Sequence, residues 1–355
     1  MNKVFSLIFI LLIFSCNSNQ KNMSSIRNPV DSVGFPTQKQ QVETFMELLS
    51  KKNLYTKNDE AKHTWKSAIV PHDDYAYVQE LFPKTLSGVK AKTVFMIGVA
   101  HKAAMLNLQD KIVFGSFDYW NAPYGKVKVS SVRNQIINDL DKNLFTVNNS
   151  MQSIEHSLEP FLPVLQYFNN DFEIIPILVP YMNFDKMNEI SNNLAQSIFN
   201  LAKKNNWQWG KDFVILISTD AVHYGDEEWG GKNFARFGTD STGYEHAVAY
   251  EHEIIDSCLL GGLSKEKIKK FTEYTVQTDN YKEYKWTWCG RYSVPFGLLV
   301  DYHLQNLLDE KLKDKFIGYS TSIAKPVLDL KPIGMGTTAN ANLHHWVGYC
   351  AIGYY

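Results

Sequence analysis

The chain has 355 residues and a formal net charge of -1, so it lacks the basic excess that is typical of nucleic-acid-binding proteins. Aromatic residues make up 14% of the sequence, which is ample material for a sizeable core. The length alone is compatible with one large domain or two smaller ones.

The N-terminus is typical of a secretory signal. Lys3 precedes a stretch, residues 4–14, that is apolar apart from Ser6 and is too short to span a bilayer as a stable helix. The stretch is followed by Ser15 and Cys16, and a small residue before a cysteine resembles the lipobox of bacterial lipoproteins. A plain signal peptide with a chance cysteine and a buried N-terminal helix are the alternatives. We predict a lipoprotein signal peptide at residues 1–15, a flexible tether at 16–30 and a location in the bacterial cell envelope, outside the cytoplasm.

Periodicity after residue 30 predicts alternating strands and helices. Helices are predicted at residues 38–54, 132–140, 187–204, 244–260, 265–272 and 294–308. Buried strands are predicted at 67–70, 93–99, 172–179, 213–218 and 346–355, with a hairpin or edge meander at 112–131. This alternation is typical of an α/β fold with a mainly parallel or mixed central sheet and helices on both faces. No long linker divides the chain after residue 30, so we expect a single domain at 31–355. Residues 226–242 are predicted to form a long surface loop that is a candidate lid.

The cysteine count predicts a free thiol. If Cys16 carries lipid, Cys258, Cys289 and Cys350 remain, and an odd number cannot form a complete disulfide framework. A free thiol is unusual in a compartment that favours disulfides. A bound metal would stabilise such a thiol as the thiolate.

Six scattered side chains are candidates for one metal-binding pocket. They are His72, His101, His156, Asp220, His223 and Cys289. Four of them follow short apolar runs, and α/β sheets bind ligands at the carboxyl ends of such strands. Imidazole, thiolate and carboxylate form the ligand set that holds redox-active iron or copper, or zinc.

The local sequence suggests roles for several of these residues. We expect His156 in a loop at a helix start, where the positive helix end would keep its imidazole neutral as a general base or hydrogen-bond donor. Alternatively, Glu155 and Glu159 simply favour the helix start electrostatically. Asp220 is expected to orient His223, and the arginine two residues after Cys289 to lower the thiol pKa.

Five short motifs occur in an order that resembles the Memo family, whose prokaryotic members are called AmmeMemoRadiSam system protein B. They are Pro-His-x-x-Tyr at residues 71–75, Gly-x-x-His at 98–101, Glu-His-Ser-Leu-Glu at 155–159, Ser-x-Asp-x-x-His-Tyr-Gly at 218–225 and Cys-Gly-Arg at 289–291. The resemblance extends from about residue 65 to the C-terminus. It implies a single α/β domain similar to class III extradiol dioxygenases, which use non-haem iron.

The resemblance also implies a ligand set. His72, His101 and Cys289 match the family's proposed metal ligands, and positions matching His156, Asp220 and His223 line the same pocket. A thiolate is softer than the carboxylate of the dioxygenase triad and shifts the preference towards copper or zinc. The chain departs from the family at residues 73–74, where Asp-Asp replaces the usual Ala-Gly, and either carboxylate could itself reach the metal.

The expected function is a metal-dependent oxidoreductase of the Memo type, dioxygenase-like, with non-haem iron or copper as cofactor and zinc as a further candidate. It would act on a small-molecule substrate, with His223 or His156 as the acid–base group. The rival is a non-catalytic metal- or small-ligand-binding envelope lipoprotein. The expected membrane link is the lipid on Cys16, and no nucleic-acid partner is expected.

The lipobox generates the first testable prediction. The variant Cys16→Ser should be released from the membrane fraction or remain unprocessed, because the thioether that carries the lipid cannot form. Fractionation of cells and intact-mass measurement would check this. Unchanged membrane association together with unchanged mass would contradict the lipoprotein assignment.

Overall fold

The computed structural model describes residues 25–355. The predicted signal peptide, Cys16 and most of the predicted tether lie outside these residues. Within the described part of the chain, no helix has the length and apolar character needed to cross a bilayer.

Residues 25–355 contain twelve strands and ten α-helices. The strands are β1 (Ile26–Arg27), β2 (Ser67–Val70), β3 (Thr93–Val99), β4 (Ile112–Phe114), β5 (Tyr119–Trp120), β6 (Val127–Val129), β7 (Phe145–Val147), β8 (Glu173–Val179), β9 (Phe213–Ser218), β10 (His223–Gly225), β11 (Asp314–Thr321) and β12 (His345–Tyr354). The helices are α1 (Lys39–Lys51), α2 (Tyr75–Val78), α3 (Leu81–Leu86), α4 (Val132–Asp139), α5 (Asn149–Ile154), α6 (Phe161–Phe168), α7 (Phe184–Asn205), α8 (Ser241–Ile254), α9 (Lys265–Thr275) and α10 (Ser293–Leu308).

The strands form one mixed sheet with a parallel centre. Strands β6, β8, β3, β9 and β2 lie side by side and parallel. Strand β12 is antiparallel to β2, and β10 and β11 both pair antiparallel with β12. The prediction of a single α/β domain with a mainly parallel or mixed sheet is therefore confirmed.

The central strands are buried on both faces, which explains their continuous apolar sequences. In β3, Phe95 and Ile97 belong to the core beneath α7 and α10. The alternate residues Val94 and Met96 belong to the core beneath α1, α3 and α6. Helices thus cover both faces of the sheet, as the alternation of elements predicted.

The strands that carry the candidate site have the bounds predicted for them. Strands β2, β3 and β9 span the predicted residues. Strand β11 was not predicted, because most of its residues are only half-buried and its apolar alternation is weak. The predicted loop after β10 is present and ends at Asp240, the N-cap of α8.

The folded domain begins earlier than the sequence predicted. Strand β1 pairs with β5, and the Arg27 side chain is only 2% exposed. Its guanidinium forms a 2.6 Å ion pair with Glu159 and donates to the backbone carbonyls of Gln152 and Glu155. Residues 25–30 therefore pack on the domain instead of extending the tether, and a strand of two residues is too short to show periodicity in sequence.

The buried ion pair of Arg27 and Glu159 generates a stability prediction. Removing one partner in Arg27→Met or Glu159→Gln leaves a buried charged or polar group without its partner, so each should lower the free energy of unfolding by about 3–5 kcal/mol. The double variant Arg27→Met/Glu159→Leu should recover part of this loss. Urea unfolding would measure all three.

A matched control is the exposed pair of Lys128 and Glu173, whose atoms are 2.7 Å apart. The variant Lys128→Met should cost less than about 1 kcal/mol, because water screens this pair. If Arg27→Met is no more harmful than Lys128→Met, the N-terminal strand is not an integral part of the domain.

Candidate functional site

Three adjacent parallel strands end at one edge of the sheet and deliver three of the predicted residues. His101 follows β3, Asp220 follows β9 and His72 follows β2. Cys289 arrives from the segment before α10, where its backbone N–H donates to the carbonyl of Ala221 at 3.0 Å. Residues far apart in sequence therefore meet where α/β sheets bind ligands.

Gly290 allows the segment that carries Cys289 to lie close to the end of β9. A Cβ at Gly290 would overlap the hydroxyl of Thr219. The same hydroxyl oxygen accepts hydrogen bonds from the Gly290 N–H at 3.0 Å and from Trp288 Nε1 at 2.9 Å. The backbone on both sides of Cys289 is thus fixed, as the Cys-Gly sequence suggested.

The Cys289 sulfur lies between two imidazoles. Its Sγ is 3.1 Å from His101 Nε2 and 3.4 Å from His72 Nε2. The ligand atoms of these three residues all lie within 4.8 Å of one another, and Cys289 is buried. The separations are those expected between ligands of one ion, so these three residues could hold a metal.

Hydrogen bonds fix the orientation and the tautomer of His72. Ser218 donates its only hydroxyl hydrogen to the Ser157 carbonyl at 2.5 Å. Its oxygen, 2.8 Å from His72 Nδ1, must therefore accept a hydrogen bond from that nitrogen. In the neutral ring the lone pair is then on Nε2, which faces Cys289.

Glu155 holds His101, a role that the sequence did not predict. One carboxylate oxygen lies 2.8 Å from His101 Nδ1, and the other accepts from the His101 backbone N–H at 2.7 Å. A carboxylate on Nδ1 directs Nε2 towards a ligand site, as in many metal proteins. The only sequence signal was the position of Glu155 beside His156 within a recognised motif.

The two residues form an ion pair in which Glu155 is buried and His101 is partly exposed. Burial favours the neutral carboxyl, but His101 outweighs it and lowers the pKa of Glu155 to about 2. Burial also opposes the charged form of His101, but Glu155 and the Cys289 sulfur raise the pKa of His101 well above its usual value. The protein alone therefore favours a protonated His101.

His156 borders the ligand cluster, but a helix end is not what keeps it neutral. Its ring stacks on that of His101 with centroids 4.8 Å apart. Burial, and next the charge of His101, lower the pKa of His156 to about 4. Helix α6 begins only at Phe161, so the prediction that a helix start keeps the His156 imidazole neutral is wrong. Burial of the ring keeps it neutral instead.

Asp220 holds His72 and not His223, contrary to the prediction. Its Oδ1 accepts from the His72 backbone N–H at 2.9 Å, and its Oδ2 is 3.4 Å from His72 Nε2. Within residues 25–355, His223 Nε2 is buried and has no hydrogen-bond partner. Burial and the nearby His101 lower the pKa of His223 to about 3, so this ring is neutral.

The described cysteines are all unpaired, and Cys289 is a buried thiol. Burial raises the pKa of Cys289, and His101 opposes this rise. The predicted effect of Arg291 on the thiol is wrong, because the guanidinium is stacked on Tyr284, 3.4 Å from the ring centroid, and donates to the Lys282 carbonyl.

Asp73 and Asp74 are engaged away from the ligand cluster. Asp73 accepts a 2.6 Å hydrogen bond from the Tyr349 hydroxyl, and Asp74 accepts one of 2.6 Å from the Thr338 backbone N–H. Burial, and next Asp73, raise the pKa of Asp74 to about 8. The groups of converging ligand atoms in residues 25–355 do not include them, so they form part of the cavity wall instead.

A cavity of about 570 Å³ opens beside the cluster, and we call it the main cavity. His72, His101, His156, Asp220 and His223 line it, together with residues of the N-terminal segment and the loop after β10. Trp229 of that loop stacks on His345 with ring centroids 4.2 Å apart. The predicted candidate lid therefore supplies one wall of the main cavity.

The sequence is similar to one family of known proteins. The family described as Memo-like protein matches residues 32–331. A MEMO1 family protein of Saccharolobus islandicus is 30% identical over 167 residues, which cover 45% of this chain and 54% of the relative. A MEMO1 family protein of Pyrococcus abyssi is 27% identical over 193 residues, covering 52% and 61%. The chain spans about half the length of the curated relatives it matches.

The family match covers most of the chain and includes every motif that brings the candidate residues together. The chain belongs to the Memo-like protein family.

Proposed function

We propose that this protein is a metal-dependent oxidoreductase of the Memo type that acts on a small molecule and is anchored outside the cytoplasm through Cys16. The observation that carries the proposal is the convergence of His72 Nε2, His101 Nε2 and Cys289 Sγ within 4.8 Å. The volume of the main cavity, about 570 Å³, suits a small-molecule substrate.

The donor set fits a transition metal. His72 and His101 each use Nδ1 for a hydrogen bond within the protein, so that Nε2 remains for an ion. With Cys289 they offer two imidazoles and one soft thiolate, a set that suits copper, iron or zinc. A bound iron or copper ion would supply one-electron redox chemistry.

The surrounding residues would handle the substrate. His156 and His223 are neutral and face the main cavity, so each can accept a proton from, or donate a hydrogen bond to, a substrate hydroxyl. Asp220 positions His72 through the backbone and side-chain contacts described above. The stacked rings of Trp229 and His345 cover one side of the cavity and limit the access of water.

One observation favours the alternative of a non-catalytic metal binder. Asp220, His223 and Cys289 also offer ligand atoms within 4.8 Å of one another. A fourth protein ligand would close the coordination sphere, as in structural zinc sites.

The ligand cluster generates a prediction about metal content. Protein purified without oxygen should contain about one transition-metal ion per chain. The variants Cys289→Ser and His72→Ala should bind it at least about tenfold more weakly, while Cys258→Ser, which changes a buried thiol outside the cluster, should not. Elemental analysis and competition with a chelator would measure this. Equal binding by Cys289→Ser and Cys258→Ser would contradict the assignment.

A second readout separates catalysis from binding. Iron- or copper-loaded protein supplied with a reductant should consume oxygen, and His223→Ala should slow this by about 10²-fold or more without loss of metal. His246→Ala, a change on the exposed part of α8, is the control. Metal that stays bound in the wild type without any oxygen consumption would favour the binder.

The ion pair of His101 and Glu155 generates a prediction about pH. An ion must displace the proton of His101, whose pKa is raised, and that of Cys289, whose pKa is also raised. Metal affinity should therefore rise with pH between about 6 and 8, since protons compete less as pH increases.

The variant Glu155→Gln removes the charge that raises the pKa of His101. The metal affinity of this variant should therefore rise at a lower pH than that of the wild type. Chelator competition at several pH values would measure this, with Glu47→Gln on α1 as an exposed control. An affinity independent of pH in the wild type would contradict the protonated state of His101.

A further inference from the structure

We propose that a second cavity, also of about 570 Å³, binds a dianionic ligand, namely a phosphate group or a dicarboxylate. We call it the arginine cavity. It is lined by Arg291, Lys232, Lys282 and Tyr284 among others and shares no lining residue with the main cavity. The proposal does not depend on a metal at Cys289.

Arg291 carries the argument. The residue is only 4% exposed, and its Nη2 donates to the Lys282 carbonyl at 2.8 Å. Within residues 25–355, its Nη1 has no hydrogen-bond partner, and the guanidinium forms no ion pair with a carboxylate. A buried charge without a counter-charge is costly, so this guanidinium is short of one anionic partner.

The groups that the structure describes around the Arg291 guanidinium do not supply this anionic partner, so we expect it to be a ligand. The ring of Tyr284 covers one face, with its centroid 3.4 Å from Arg291 Cζ, and the ring of Tyr292 lies at 4.9 Å. These aromatic contacts attract the cation but do not accept the N–H hydrogen in the way that an oxyanion does.

A second buried arginine in the same chain shows what is missing. Arg27 also stacks on an aromatic ring, that of Trp120 at 4.0 Å, and is 2% exposed. It differs in having Glu159 as a carboxylate partner at 2.6 Å. Arg291 has the aromatic contact and the carbonyl contact but lacks the carboxylate.

The other charges of the arginine cavity favour a dianion. Its charged lining residues are Arg291, Lys232, Lys282 and Glu283, three cations and one anion, for a formal balance of +2. Lys282 Nζ is held by the side-chain oxygen of Gln109 at 2.6 Å, and Lys232 is 4.0 Å from Glu283. Both lysines can therefore turn towards a ligand without losing a strong ion pair.

Guanidinium and ammonium groups together are the donors that proteins use for phosphate and for carboxylate pairs. A phosphate group and a dicarboxylate both present two negative charges on a compact group, and this is the feature that the cavity would recognise. Inorganic phosphate and malonate are probes that separate them.

The test is calorimetric titration of the full-length protein with each probe, in the presence of a chelator so that no metal at Cys289 contributes. We expect at least one probe to bind. The double variant Lys232→Met/Lys282→Met should bind it at least about tenfold more weakly. The control is Lys311→Met/Lys313→Met, which removes the same charge at two exposed positions and should bind like the wild type.

Arg291→Lys keeps the charge but loses the planar fork, and it should also weaken binding at least about tenfold. If that variant fails to fold, the lysine pair still decides the outcome. Binding of phosphate, of malonate or of both supports the proposal and identifies the ligand type. Wild-type affinity weaker than about 10 mM for both probes, or equal affinity in the two double variants, overturns it.

Discussion

The buried carboxylate of Glu155 is the interaction on which the arrangement of the site depends. It accepts hydrogen bonds from the backbone N–H and Nδ1 of His101, and also from the backbone N–H groups of His156 and Ser157 at 2.9 Å each. It thereby joins the end of β3 to the loop that carries His156. The carbonyl of the same residue accepts from Arg27, so the N-terminal strand is attached to this loop as well.

The charge of Glu155 also sets the protonation of the imidazole cluster. It stabilises the proton on His101, and the charge of His101 together with burial disfavours protons on His72, His156 and His223. The protein alone therefore concentrates one positive charge next to the Cys289 sulfur. A metal ion bound at the same place would replace that proton and leave the surrounding rings neutral.

Sequence reasoning succeeded where short-range signals were strong. Strand β3 was predictable because burial on both faces leaves a continuous apolar run, and His101 was predictable because it follows that run within a recognised motif. The partners of the site residues were not predictable. The contact between Asp220 and His72 depends on the packing of β9 against β2, which joins residues 148 positions apart. Propensity does not encode such a contact, and the same is true of Glu155 with His101 and of Arg27 with Glu159.

The attachment of the N-terminal strand has a spatial consequence for the proposed lipid anchor. Residues that follow β1, including Asp31, Val33 and Phe35, form part of the wall of the main cavity. Ser25 lies nine positions after Cys16, so a lipid on Cys16 would hold the start of the domain within about 30 Å of the bilayer surface. These wall residues follow Ser25 by ten positions or fewer, so the main cavity would then lie near the headgroups. Molecules that concentrate at the lipid surface would then be enriched close to the cavity.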